Sequence, residues 1–215
     1  MINNKATIDM LSSMGVLQLG EFSLKRHETD PSSPLSCFKI NLRLKNHGGP
    51  LTQDNIELIG QTMKRFFIEG QAMGYLGLKY PDWVAGLPQA GEPLARVISK
   101  GLGINLLTLG KEARRISCIK GSDFKPKQRV LLVDDVLSKG HSSREAIDVI
   151  EQAGLKVSHL FFVVDRQQRD KKLLRSHKHN VIRLTTISAI VRWQVKQGML
   201  SRENAAKIKA EIGFR

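Results

Sequence analysis

Hydrophobic and polar positions along this chain repeat with two periods, and the switches between them predict an order of elements. Residues 4–14 put Ile8, Leu11 and Met14 on one face at helical spacing. Residues 16–24 alternate weakly and predict a strand. A polar, proline-containing stretch over 26–34 follows, then the apolar run 37–42, so the pair predicts a hairpin with a long loop. Residues 52–70 predict a helix: Ile56, Ile59, Met63 and Phe67 form a stripe, Thr52 is the N-cap with Asn55 close behind, and Gly70 closes it. Beyond it the pattern predicts a strand over 83–86, a turn through 93, a helix over 94–102 and a strand over 104–109. A strand over 130–133, a helix over 144–154 and strands over 155–164 and 181–185 come next. Helices over 187–198 and 202–212 close the chain, the second capped by Ser201. Strand and helix in turn, with aliphatic strands as continuous as Val130 to Val133, predict an α/β fold with a mostly parallel central sheet flanked by helices.

At 215 residues the chain is long enough for one sizeable α/β domain with a small appendage, and no linker interrupts it. Two cysteines, Cys37 and Cys118, are too few and too far apart for a disulfide framework or a metal cluster. No apolar run approaches the roughly 18 residues of a membrane span, and the first residues lack a signal-peptide core. A reducing cytoplasm is the expected setting. Lysine and arginine number 34 against 20 acids, for a net charge of +14, an excess that attracts polyanions. The cations are spread along the chain, no nucleic-acid motif accompanies them, and two Tyr and two Trp offer little base stacking. A phosphorylated small molecule would use a few of these cations, and the rest read as solvated surface.

The chemistry concentrates between Val130 and Ser143. After the aliphatic strand come two adjacent acids, Asp134 and Asp135, then Val136 and Leu137, then a loop of Ser138, Lys139, Gly140, His141 and Ser142 running into a helix. Ligands of open α/β sheets sit beyond the strand carboxyl ends, and backbone N–H groups before a helix hold a phosphate. The loop alone admits several nucleotide folds; it is neither GxxxxGK[ST] nor GxGxxG. Two acids just ahead of it can accept hydrogen bonds from vicinal hydroxyls and favour a divalent cation. A ligand with a terminal phosphate, a cis-diol and a metal-bound polyphosphate satisfies all of these groups.

This pattern resembles the phosphoribosyl pyrophosphate (PRPP) motif of type I phosphoribosyltransferases, with Ser138 in place of the usual Thr and with Lys139 and His141 at positions commonly small or hydroxylic. Four further stretches resemble orotate phosphoribosyltransferases in family order. Phe22, Leu24, Lys25, Ser33 and Pro34 match an N-terminal segment, although the middle is longer. Gly86 to Ala95 resembles a pyrophosphate loop. Residues 110–117 resemble a basic loop in which Gly110, Arg114 and Ile116 replace an arginine, a lysine and a histidine, with Asp165 to Gln168 following as a base-binding corner. The resemblance implies a small N-terminal hood over about residues 1–50 on a core of 51–215. It also implies conversion of orotate and PRPP to orotidine 5′-monophosphate and pyrophosphate with Mg²⁺, in a homodimer whose residues 110–122 complete the neighbouring site.

By that resemblance Gln89, Ala90 and Gly91 face the pyrophosphate, and Lys111 and Arg114 close over it, with Arg115 partly compensating for the lost residues. Asp134 and Asp135 hold the ribose hydroxyls, Ser138, Lys139, Gly140, His141 and Ser142 anchor the 5′-phosphate, and Val136 and Leu137 also contact PRPP. Lys25, Phe38, Ser138 and Arg166 meet the base. Mg²⁺ arrives with PRPP, with Asp134 or Asp135 as its nearest side chains. Two changed positions, the lost arginine and histidine, imply slower turnover. Two rival readings stand beside this one: a fold that binds PRPP or nucleotides as a regulator, and a transferase for another base.

Overall fold

The computed structural model describes residues 4–23, 31–74, 80–112, 115–120, 123–168 and 180–213; of residues 111–120 only Ile116 is described with its side chain. Helix α1 (Asn4–Ser13) leads into a two-stranded antiparallel ribbon, β1 (Leu17–Phe22) and β2 (Ser36–Ile40), in which Leu17 faces Ile40 and Leu19 faces Phe38. Helix α2 (Gln53–Ala72) starts on a complete capping box. The Thr52 hydroxyl accepts from the Asn55 N–H, and the Asn55 side chain accepts from the Thr52 N–H.

The main sheet comprises β3 (Trp83–Gly86), β4 (Asn105–Glu112), β5 (Arg115–Lys120), β6 (Arg129–Leu137), β7 (Lys156–Asp165) and β8 (Asn180–Thr186), in the order β5-β4-β3-β6-β7-β8. All neighbours run parallel except β4 and β5. Helices α3 (Gly91–Leu102) and α4 (His141–Gln152) are the crossovers after β3 and β6, and α5 (Ile187–Lys196) and α6 (Arg202–Ile212) end the chain.

Both faces of the sheet are covered, which is why its strands read as unbroken aliphatic runs. Leu131 and Val133 of β6 and Phe161 and Val163 of β7 pack with Ile56, Met63 and Phe67 of α2, Ile98 of α3, Ile190 of α5 and Ile208 of α6. Val130 and Leu132 with Leu160 and Phe162 face the other way, onto Ala146, Ile147 and Ile150 of α4. The ribbon joins the first of these clusters through Val16, Phe38 and Ile40.

Among the boundaries that differ from the sequence expectation, four lie near the strand carboxyl ends, and each has a cause. Strand β6 continues past the acids to Leu137, because its ladder with β7 persists through Asp134–Phe162, Val136–Val164 and Leu137–Asp165. Helix α4 begins at His141, so His141 and Ser142 form its first turn instead of a loop. Helix α3 begins at Gly91, since a proline in the first turn has no intrahelical N–H bond to lose. Residues 110–117 are not all loop: β4 runs to Glu112 and β5 starts at Arg115, with Lys111 opposite Ile116. The polar residues around Ile116 hid this edge strand, which needs apolar residues on one face only.

Candidate functional site

Strand order reverses between β3 and β6: β4 lies to one side of β3, while β7 and β8 continue on the far side of β6. In open α/β sheets such a switch point opens a crevice at the strand carboxyl ends. Both strand–turn–helix units singled out in the sequence end there. The Leu87 N–H donates to the Val133 carbonyl at 2.9 Å, holding the turn 87–90 beside the acids. Gly91 is buried where a Cβ would stand 2.5 Å from the Val133 carbonyl oxygen and 3.2 Å from Asp134 Oδ1. Only glycine lets α3 start this close to the acidic pair. Gln89, ahead of it, has a φ of 84° and an exposed side chain, a left-handed conformation uncommon outside glycine and often found at ligand loops.

Asp134 and Asp135 themselves lie side by side and touch. The Val136 N–H donates to Asp135 Oδ1 at 2.7 Å. Burial of its carboxyl pushes Asp135 above the usual carboxylate range, against hydrogen bonding with Asp134 and Val136 and the positive charge of Arg43, which act to lower it. Arg43 follows the ribbon, and its pull on this pair had no signal in the local sequence pattern.

Beyond Leu137 the chain turns through exposed Ser138 and Lys139 to Gly140, whose φ of 90° admits glycine readily and sets up α4. Helix capping then separates two groups. Helices α2, α5 and α6 start on the hydroxyls of Thr52, Thr186 and Ser201, which accept from the N–H groups of Asn55, Ala189 and Asn204. Helices α3 and α4 start on Ala90 and Gly140 with no side-chain cap hydrogen bond. The two helix ends that face the acidic pair thus carry backbone N–H groups and a positive dipole end suited to phosphate oxygens.

A third corner adjoins the turn before α4. The Arg166 N–H donates to the Leu137 carbonyl at 2.8 Å, fixing Asp165 to Gln168 next to Ser138. Arg166 is only 6% exposed. Its Nη2 donates to Ser36 Oγ at 2.6 Å, the Phe38 carbonyl at 3.2 Å and Glu211 Oε1 at 3.2 Å, and its guanidinium lies 4.2 Å from the Phe38 ring centroid. Phe38 is fully buried, so it supports the arginine and the core at once. Gln167 takes a φ of 61°, and its Oε1 accepts from the Ser188 N–H at 3.0 Å at the start of α5.

The structure therefore gathers Gln89, Ala90, Gly91, Asp134, Asp135 and residues 136–142 at one crevice, with Arg166 just past the end of the adjoining strand β7 and Phe38 of the ribbon against it. Lys111 and Arg115 are placed only as backbone of the β4–β5 hairpin. Lys25 and Arg114 lie outside the described residues. Ser36, Arg43 and Glu211 were missed in the sequence, for none sits in a motif and each reaches the site from a distant segment.

Among the described residues no group of three or more His, Cys, Asp or Glu could cage a metal ion. A touching, partly buried acid pair still fits Mg²⁺, which commonly uses one or two carboxylates and completes its octahedron with waters and substrate phosphates. No helix among the described residues is long and apolar enough to cross a membrane.

No family model matches the chain. Among curated proteins it is 31% identical to an orotate phosphoribosyltransferase of Caenorhabditis elegans over 134 residues, 61% of this chain and 59% of that one. It is 28% identical to an orotate phosphoribosyltransferase of Alteromonas mediterranea over 215 residues, 93% and 92% of the two chains. The matches to the first three curated relatives span about three fifths of those proteins' lengths. In fold it superposes on a UMP synthase of Leishmania donovani with a TM-score of 0.76 at 24% identity, covering 98% of this chain and 42% of the other. An α/β chain whose acids and open helix ends meet at this switch point is thus similar, over nearly its whole length, to an orotate phosphoribosyltransferase.

Proposed function

We propose that the chain transfers the phosphoribosyl group of PRPP to orotate, giving orotidine 5′-monophosphate and pyrophosphate, a step of pyrimidine synthesis in the cytoplasm. The observation that carries this reading is the acidic pair set between two helix N-termini with no side-chain caps. One anion at the α4 end, another at the α3 end and a diol between them describe PRPP. In the reaction the anomeric carbon–oxygen bond to pyrophosphate breaks and a bond to a ring nitrogen of orotate forms, with loss of the proton on that nitrogen. The α4 turn anchors the 5′-phosphate, Asp134 and Asp135 accept from the ribose hydroxyls, and Arg166 meets the carboxylate of the base. Anchoring both ends aligns the ring nitrogen with the anomeric carbon, an effect of orientation rather than of a protein nucleophile. A bound Mg²⁺ supplies positive charge against the departing pyrophosphate. Lys111 and Arg114 add to it on residues 110–122, which complete the site of a second copy in a homodimer.

Loss of orotate absorbance with PRPP and Mg²⁺, matched by equimolar pyrophosphate, tests the proposal. PRPP binding without pyrophosphate release would favour the second reading, a PRPP-binding regulator. The replacement of an arginine, a lysine and a histidine by Gly110, Arg114 and Ile116 supports that alternative. A panel of bases at fixed PRPP separates orotate from other acceptors.

A further inference from the structure

The reading of Arg166 as the base contact leaves one half-buried carboxylate unexplained, and it comes from helix α6. Glu211 lies one residue before the end of α6, yet it meets the ribbon and the Asp165–Gln168 corner together. Its Oε1 accepts from Ser36 Oγ at 2.7 Å and from Arg166 Nη2 at 3.2 Å, and its Oε2 accepts from the Cys37 N–H at 2.9 Å. Gln168 Nε2 reaches the same Oε1 at 3.4 Å. Burial alone would raise the Glu211 pKa, but hydrogen bonds from Ser36 and Cys37 and the charge of Arg166 outweigh it and hold the carboxyl ionised below its usual range.

Three acceptors crowd one guanidinium nitrogen while the Phe38 ring lies against the guanidinium. Nη2 has two hydrogens, so its valence is used within the protein. A buried cation without a counter-charge would be expelled toward water or forced to lose its orientation. We infer that Glu211 is a positioning residue for orotate recognition: with Ser36 it fixes the plane and direction of the Arg166 guanidinium before the base arrives. Helix α6 would then be part of base specificity. The inference rests on Arg166 being the base contact.

Steady-state kinetics and calorimetry on the full-length chain and its Glu211→Gln variant test this. The amide keeps one acceptor but loses the charge, and it turns a donor toward the Cys37 N–H. The expected result is an orotate KM and Kd raised about three- to tenfold, the factor for ordering one rotamer-rich side chain on binding instead of beforehand, with the KM for PRPP unchanged. A merely structural role would lower the folded fraction and the apparent turnover but leave both KM values alone. Ser36→Ala removes the bridging hydroxyl and should give the same split if Glu211→Gln does not fold. Equal shifts in both KM values, or no shift in that for orotate, overturn the inference while wild-type turnover leaves the proposed function standing. A wild-type chain that binds PRPP but not orotate overturns the reading of Arg166 and this inference with it.

Discussion

Asp135 is harder to ionise in the fold than in the open chain, and that asymmetry has consequences on both sides of pH neutrality. Its pKa is raised above the ordinary 3.8, chiefly by burial. Below that value the carboxyl is protonated in both states and nothing is lost. As pH rises toward the folded value the unfolded chain ionises more readily, so stability falls; above the folded value the deficit is constant. Asp135→Asn is therefore expected to raise stability at pH 7 by about 0.5–2 kcal/mol, the range of a single functional-site relaxation, and to match wild type near pH 3. The same variant should lose PRPP binding. Thermal melts at the two pH values, paired with calorimetry against PRPP, check both halves.

Helix ends operate at the next scale. An α4 start without a side-chain cap is a small local deficiency, since Thr, Ser, Asp or Asn at an N-cap commonly adds about 1 kcal/mol. Helices α2, α5 and α6 do not carry it, and α3, which starts at the same crevice, does, so the deficiency goes with the crevice. Ser142→Glu places an anion in the first turn of α4. It should stabilise the helix by about 0.3–1 kcal/mol through the macrodipole while weakening PRPP binding tenfold or more by repelling the 5′-phosphate. Opposite movement of melting temperature and PRPP affinity is the expected signature, and parallel movement would contradict a phosphate at this turn. A helix end closed by its own side chain, as at Thr186, gives no such opposition.

Over the whole molecule the charge of +14 sets the long-range field into which PRPP, the proposed substrate, would diffuse. Exposed charges are screened beyond about 8 Å at 0.15 M salt, so kcat/KM for PRPP should drop about tenfold between roughly 0.02 and 0.3 M salt while kcat changes little. Stopped-flow or initial-rate measurements at fixed Mg²⁺ would show it. An unchanged kcat/KM would mean that the cations spread along the chain make no difference to encounter.

Sequence periodicity determined the local elements here, because apolar spacing and caps act within a few residues. The strand 83–86, the Thr52 capping box and the helix 202–212 needed nothing from elsewhere in the chain. Runs of β-branched and aliphatic residues bounded by a glycine-containing turn likewise made the acid pair and the turn before α4 legible, since both are built from consecutive residues. Tertiary structure decided the rest. Pairing with β7 carried β6 through Asp134 and Asp135 to Leu137, a continuation that polar residues cannot announce. The strand order set β3 beside β6 and thereby brought the two uncapped helix ends to one crevice. Glu211 met Arg166 across 45 residues and Ser36 across 175. A carboxylate on an exposed-looking helix face has no local period or motif to reveal such a partner, because the energy that holds it there comes from burial and charge pairing that exist only once the sheet and its covering helices have closed.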